Sequence, residues 1–419
     1  MKMCNIIVEN SGQLCGDVKI SGSKNSSLPI LAACILTGGE NTISNVPKLT
    51  DIDVMLSLLN DLGAEISRKK DVVKINCSNI KNHTTPYELV GKMRGSFLLA
   101  GALLSRTKKA RIALPGGCPI GNRPVDLHLK GFQALGAKIS QGHGYVELSA
   151  KKLTGTKIYL DFPSVGATEN LIIASVLAEG ETIIENAAAE PEIVDLTNFL
   201  KKQGAKIYGA GSDTIKIIGV NELKNIKHSI IPDRIEAGTF MSAFAISRGY
   251  GRIENINMEH IKPVYAKLTE MGVKINAINE NTLEIDARKD LISSDVKTLP
   301  FPGFPTDMQA PFTSLLTSIK GTGIIVETVF ENRFLHIGEL NRMGANIKID
   351  GRTSVIEGGR RLSGAKVNAF DLRGGAALVL AGMIATGDTE VAGIDHIERG
   401  YENFLQKLEK IGGICYRVE

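Results

Sequence analysis

LPILAACIL, Leu28–Leu36, contains no charged residue. A helix of this composition has no face to turn to water, so it must be buried on every side. Four more stretches share the property: SFLLAGALL (Ser96–Leu104), LIIASVLA (Leu171–Ala178), TFMSAFAI (Thr239–Ile246) and AALVLAGMIA (Ala376–Ala385). A barrel of parallel strands or a doubly wound sheet keeps its strands at the centre and leaves amphipathic helices outside. These stretches require the reverse, helices inside and sheets outside.

Working outward from them, a second phrase recurs six times: LLNDLGAEI, FQALGAKI, FLKKQGAKI, KLTEMGVKI, ELNRMGANI and KLEKIGGIC. Its glycines, Gly63, Gly136, Gly204, Gly272, Gly344 and Gly412, are 73, 68, 68, 72 and 68 residues apart, so six units of similar length fill the chain. The first unit shows the internal order. Ser26–Leu36 reads as the apolar helix and Thr42–Ser44 as a strand. Asp51–Leu62 reads as an amphipathic helix with Val54, Leu58 and Leu62 four apart, and Gly63 as its left-handed stop. Strands Ala64–Ser67 and Val72–Ile75 follow, joined by a polar turn at Arg68–Asp71. The pattern is αβαββ with a strand leading in. Periodicity alone does not decide between one ring of six units and two rings of three.

A chain of 419 residues, 43% hydrophobic and 22% charged, can bury a large core and is long enough for two or three domains. The net charge of +4 is mild, and the basic runs Lys69–Lys70 and Lys108–Arg111 read as solvated turns. Aromatic content of 5% without tryptophan offers few stacking platforms, so a nucleic-acid partner is not expected. The six cysteines form no CxxC pair, which argues against a zinc knuckle or a disulfide framework and for a reducing cytoplasm. No apolar run reaches the length of a membrane span. HExxH, GxGxxG and the P-loop pattern are absent, so no metal and no nicotinamide or other cofactor is expected.

Chemistry concentrates in LPGGCPIGNRPVDLH, Leu114–His128, a glycine- and proline-rich loop carrying Cys118, Arg123 and Asp126. A thiol beside cations in such a loop is in the setting where cysteine becomes reactive. Polar residues also stand at the starts of the apolar helices, where backbone N–H groups attract anions. They are Lys24 and Asn25, Arg94, the Ser164-Val165-Gly166 turn, the Asp233, Arg234 and Glu236 group, Asp307, and the pair Asp371 and Arg373. On residue type alone each has a bland reading: a solvated Lys24 or Arg94, a plain turn at Ser164, caps at Asp233 and Asp307, surface ion pairs for the arginines. For Asp233 the cap, and for the Ser164 segment the plain turn, is the preferred reading.

The Cys118 loop resembles that of the UDP-N-acetylglucosamine enolpyruvyl transferase family over more than ten consecutive positions, with Pro119 where alanine is usual; the other motifs extend the resemblance over nearly the whole chain. It implies a two-domain inside-out α/β barrel with three units per domain. The domains would be residues 1–21 plus 230–419, carrying the catalytic Asp, and 22–229, carrying the Cys loop, with the active site in the cleft. It implies phosphoenolpyruvate ligands at Lys24, Asn25, Arg123 and Arg399. UDP-N-acetylglucosamine would meet Arg94, Arg123, Pro124, Val125, Asp126, Leu127, Ser164, Val165, Gly166, Asp307 and Val329. Arg333, Asp371 and Arg373 would line the cleft.

The implied reaction moves the enolpyruvyl group of phosphoenolpyruvate to the sugar 3-hydroxyl, with Asp307 as base and Cys118 as proton donor, and makes Cys118 the residue alkylated by fosfomycin. Whether Cys118 also adds covalently stays open. Two alternatives stand beside it: a shikimate-pathway enolpyruvyl transferase, and a non-catalytic nucleotide-sugar-binding relative. The sequence leaves the oligomeric state open and is compatible with a monomer.

Overall fold

A computed structural model describes residues 5–91, 93–114 and 125–418 of the chain. These form two compact units, one of residues 5–21 and 232–418, the other of residues 22–231 as described, and the chain passes between them at Ser21–Gly22 and Ile231–Pro232. Each has its own core.

In the 22–231 unit the helices Lys24–Ala33, Leu99–Thr107 and Val165–Ser175 pack on one another at the centre. Their residues are buried almost without interruption from Ser26, Leu99 and Ala167 onward, as their composition requires. Close approach depends on small residues: a Cβ on Gly101 would lie 2.4 Å from the carbonyl oxygen of Asn170. The 232–418 unit repeats the plan with helices Arg234–Ile246, Gln309–Thr317 and Leu372–Gly382. Among the described residues six sheets cover the two helix trios, three per unit, and amphipathic helices such as Thr50–Asp61 and Pro191–Lys202 pack beside the central ones. The architecture is the inside-out α/β barrel, with buried helices and outer sheets.

Every repeat glycine ends its amphipathic helix at positive φ, between +93° and +109°. At each, the residue after the glycine donates to a carbonyl five residues back, as Ala64 does to Leu59 and Ala205 to Leu200. The first five stops each lead into a hairpin, and the sixth leads into the single strand Ile414–Val418.

The sheets are not assembled repeat by repeat. The first repeat's sheet, Glu40–Ser44, Val72–Asn76 and Glu65–Lys69, takes its parallel edge strand from Lys227–Ser229. In the 232–418 unit, Asn5–Glu9 is inserted between Thr389–Ala392 and Ile414–Val418, and Cys15–Lys19 pairs in parallel with Tyr250–Glu254.

Two local expectations need correction. The first helix begins at Lys24 rather than Ser26, because Ser23 caps it, and it tightens to a 3-10 turn over Cys34–Leu36. The Lys108–Arg111 run is not a solvated turn: Lys108 ends a helix at φ +61°, and Lys109–Ala113 is a strand paired with Tyr145–Ser149. Ala110 and Ile112 face the core while Arg111 lies 4.1 Å over the Tyr145 ring and pairs with Glu147, so alternation outweighed charge.

Candidate active site

In the 232–418 unit the starts of the three central helices meet. Asp307 lies in the 3-10 turn Thr306–Met308 that leads into Gln309–Thr317, and Arg373 is the second residue of Leu372–Gly382. Gly238, in the first turns of Arg234–Ile246, leaves room for Met308, whose sulfur would lie 2.8 Å from a Cβ there.

Asp307 is clamped. Its Oδ1 accepts from Arg333 Nη2 at 2.6 Å, and its Oδ2 accepts from Arg373 Nε at 3.1 Å and Nη2 at 2.9 Å. A quarter of the Asp307 side chain is exposed, against 5% and 3% for the two arginines. Burial by itself would raise the carboxyl pKa; the two guanidiniums override it and hold the group far below the usual carboxylate range. The reading of Arg373 as a surface ion pair is therefore overturned, and Asp307 does not cap a helix.

Further residues brace the clamp. Arg333 Nη1 donates to Thr306 Oγ1 at 2.8 Å, and that hydroxyl donates to Glu327 Oε2 at 2.8 Å. Glu327, almost fully buried, also accepts from Thr298 Oγ1 and from the backbone of Val329 and Phe330. The Arg373 guanidinium lies 4.9 Å over the Tyr401 ring, whose hydroxyl meets Thr239 Oγ1 at 2.9 Å. Asp371 caps its helix, accepting from the N–H groups of Arg373 and Gly374 at 2.9 Å. Beside them His336 is buried, and neither ring nitrogen has a hydrogen-bond partner among the described residues. Burial, opposed by Asp371 and helped by Arg333, lowers its pKa to about 4. Asp233 caps as expected, its Oδ1 accepting from Ile235 and Glu236 N–H. Arg399 is half-buried at the end of the short helix Ile394–Glu398.

In the 22–231 unit the same rule places the other candidates. Lys24 is the first residue of its helix, with Asn25 half-buried next to it. Lys24 Nζ lies 3.3 Å from Asp51 Oδ2, the side chains 12% and 6% exposed, so Lys24 is not a solvated lysine. Arg94 opens the 3-10 turn Arg94–Leu98 ahead of Leu99–Thr107. Ser164 caps Val165–Ser175 through the Ala167 N–H, and Val165 and Gly166 are half-buried. Val125 is buried, Leu127 half-buried, and Asp126 exposed at the start of Asp126–Ala134. Cys118, Arg123 and Pro124 lie outside the described residues.

Sequence reasoning passed over Glu327, Thr306, His336 and Tyr401. Glu327 carried a faint signal, a lone carboxylate ending the apolar strand Gly321–Val326. The others show only once the turns are folded. Chemically, helix starts carry partial positive charge, and Lys24, Arg94, Arg333 and Arg373 add full ones, which suits anionic ligands.

The family model for EPSP synthase (3-phosphoshikimate 1-carboxyvinyltransferase) matches residues 8–408. UDP-N-acetylglucosamine 1-carboxyvinyltransferase 1 of Caldanaerobacter subterraneus subsp. tengcongensis is 57% identical over 413 residues, 98% of this chain and 99% of that one. UDP-N-acetylglucosamine 1-carboxyvinyltransferase 2 of Carboxydothermus hydrogenoformans is 54% identical over 99% of this chain and 100% of its own. Among solved structures, the enolpyruvyl transferase NikO from Streptomyces tendae superposes with a TM-score of 0.90 at 24% identity, covering 99% of each chain, which is a likeness of fold. A family model spanning nearly the whole chain and relatives more than half identical leave one assignment: the chain belongs to the EPSP synthase family, in its UDP-N-acetylglucosamine 1-carboxyvinyltransferase group, and is a transferase.

Proposed function

We propose that the enzyme transfers the enolpyruvyl group of phosphoenolpyruvate to the 3-hydroxyl of UDP-N-acetylglucosamine and releases inorganic phosphate, opening peptidoglycan precursor synthesis. The observation that carries this reading is the clamp of Asp307 between Arg333 and Arg373 at a helix start, in a chain 57% identical to a transferase named for that substrate. Identity at this level to the nucleotide-sugar group, over the full length, speaks against shikimate 3-phosphate as acceptor.

Asp307 accepts the proton of the sugar hydroxyl as its oxygen bonds to C2 of the enol, and the Cys118 thiol protonates C3. The C2–O bond to phosphate then breaks, C3 returns a proton to the Cys118 thiolate to restore the double bond, and the departing phosphate takes the proton held by Asp307. Lys24, Asn25, Arg123 and Arg399 hold the phosphoenolpyruvate anion. Arg94, Pro124, Val125, Asp126, Leu127, Ser164, Val165, Gly166 and Val329 receive the nucleotide sugar. With both guanidiniums on it Asp307 is a weak base, so the sugar hydroxyl must take the place of one of those hydrogen bonds before the proton moves. The four free cysteines among the described residues suit a reducing cytoplasm. No helix among the described residues is long and apolar enough to cross a membrane.

The test is phosphate release from phosphoenolpyruvate with UDP-N-acetylglucosamine, with shikimate 3-phosphate, and with neither. Release only with the nucleotide sugar is expected. Asp307→Asn should lower kcat by about 100-fold or more. Cys118→Ala should abolish turnover, Cys118→Asp should keep part of it, and fosfomycin should label Cys118. Equal rates in all forms would remove both residues from the chemistry.

A further inference from the structure

Asp195, on the helix Pro191–Lys202, is 4% exposed and is bonded on both oxygens. Its Oδ2 accepts from Ser26 Oγ at 2.5 Å and from the Ile231 N–H at 3.2 Å, and its Oδ1 faces His228 Nε2 at 2.9 Å. Ile231 is the last residue before the chain leaves this unit. Its carbonyl accepts the Ser23 N–H at 2.8 Å, and Ser23 Oγ accepts the Ser26 N–H at 3.2 Å. The bonds therefore close a ring: Asp195 to Ser26, Ser26 to Ser23, Ser23 to Ile231, and Ile231 back to Asp195. Lys24 and Asn25 are the two residues inside that ring.

The remaining partner is also oriented. His228 Nδ1 lies 3.4 Å from the Lys202 ammonium, which can only donate, so Nδ1 accepts and the ring proton sits on Nε2, toward Asp195. Phe199 packs its ring edge-on against the imidazole at 5.6 Å. A carboxylate accepting three hydrogen bonds in a buried site is fixed in place, and everything it holds is fixed with it.

We propose that Asp195 is a positioning residue for the phosphoenolpyruvate ligands: with His228 behind it, it fixes the Ser23–Ser26 helix start and so aims Lys24 and Asn25. This rests on the reading of Lys24 and Asn25 given above. A residue that only stabilised the fold would affect both substrates alike. One that aims Lys24 and Asn25 should affect phosphoenolpyruvate selectively.

The experiment uses the full chain and the variants Ser26→Ala, Asp195→Asn, His228→Leu and His228→Gln, the last keeping an N–H at the reach of Nε2. KM is measured for each substrate with the other saturating. For Ser26→Ala, Asp195→Asn and His228→Leu, KM for phosphoenolpyruvate should rise about fivefold or more, the size of one lost hydrogen bond, while KM for the nucleotide sugar stays within about twofold. His228→Gln should return close to the parent value. Equal rises in both KM values, an unchanged phosphoenolpyruvate KM in Ser26→Ala, or no rescue by glutamine would overturn the proposal. Should Asp195→Asn or His228→Leu not fold by far-UV circular dichroism, Ser26→Ala decides, since it removes one hydroxyl. Should the parent protein release no phosphate, the functional reading fails separately. Calorimetric binding of phosphoenolpyruvate to the same variants then tests the positioning role alone, loss of binding supporting it and unchanged binding rejecting it.

Discussion

His336 and Asp307 sit in one cluster and answer to acid in different windows. The folded-state pKa of His336 is lowered to about 4, so between its unfolded value near 6.5 and about 4 the unfolded chain binds the proton and the folded one does not. Stability must therefore fall on acidification through that window, by up to about 3 kcal/mol, and level off below it. Asp307 is depressed instead, so the stability it contributes is present above the unfolded carboxyl value and is lost only as the pH falls below about 4. Urea unfolding of the parent and His336→Leu between pH 7 and 4.5 should give a shallower pH slope for the variant. Parallel lines would show that the imidazole does not titrate in this way. At this scale the sequence carried the residue types but not their company. Asp307, Arg333 and Arg373 stood out singly in their motifs, yet a bond between positions 307 and 373 leaves no local mark. His336 and Asp195 gave no signal at all, because a buried histidine or aspartate at helical spacing reads as ordinary amphipathic polarity.

The central helices were the most legible elements, since a run without charge has one physical solution in water, and the structure buries them throughout. Less legible was the strand Lys109–Ala113, whose three basic neighbours hid two core residues. The repeat glycines look interchangeable in sequence, but their surroundings differ. A Cβ on Gly63 would lie 2.5 Å from the carbonyl oxygen of Asn79, whereas Gly204 has open space around it at a similar φ of +109°. Gly204→Ala should cost about 1 to 2 kcal/mol, the strain of an L-residue at positive φ. Gly63→Ala should cost clearly more, because a backbone oxygen must also move. Thermal or urea denaturation of the two variants compares them directly, and equal losses would mean that the Asn79 loop yields freely.

For the whole molecule, six repeats could be counted from six glycines, but strand exchange between distant repeats could not, because pairings such as Asn5 with Val418 involve no sequence neighbourhood. The inserted strand Asn5–Glu9 has Ile414–Val418 on one side and Thr389–Ala392 on the other. Removing residues 414–419 should therefore expose one edge of Asn5–Glu9 and loosen the 232–418 unit while sparing residues 22–231. Limited proteolysis should cut the shortened chain in the former first, and even cutting across both would contradict the separation of cores. The same insertion sets a schedule during synthesis. Asn5–Glu9 is made roughly 400 residues ahead of Ile414–Val418, one of its two neighbours, so it waits about 20 to 80 s at ribosomal speed. The helices and sheets of residues 22–231 are complete long before that, and a nascent-chain chaperone would find a long-lived client in the waiting strand Asn5–Glu9.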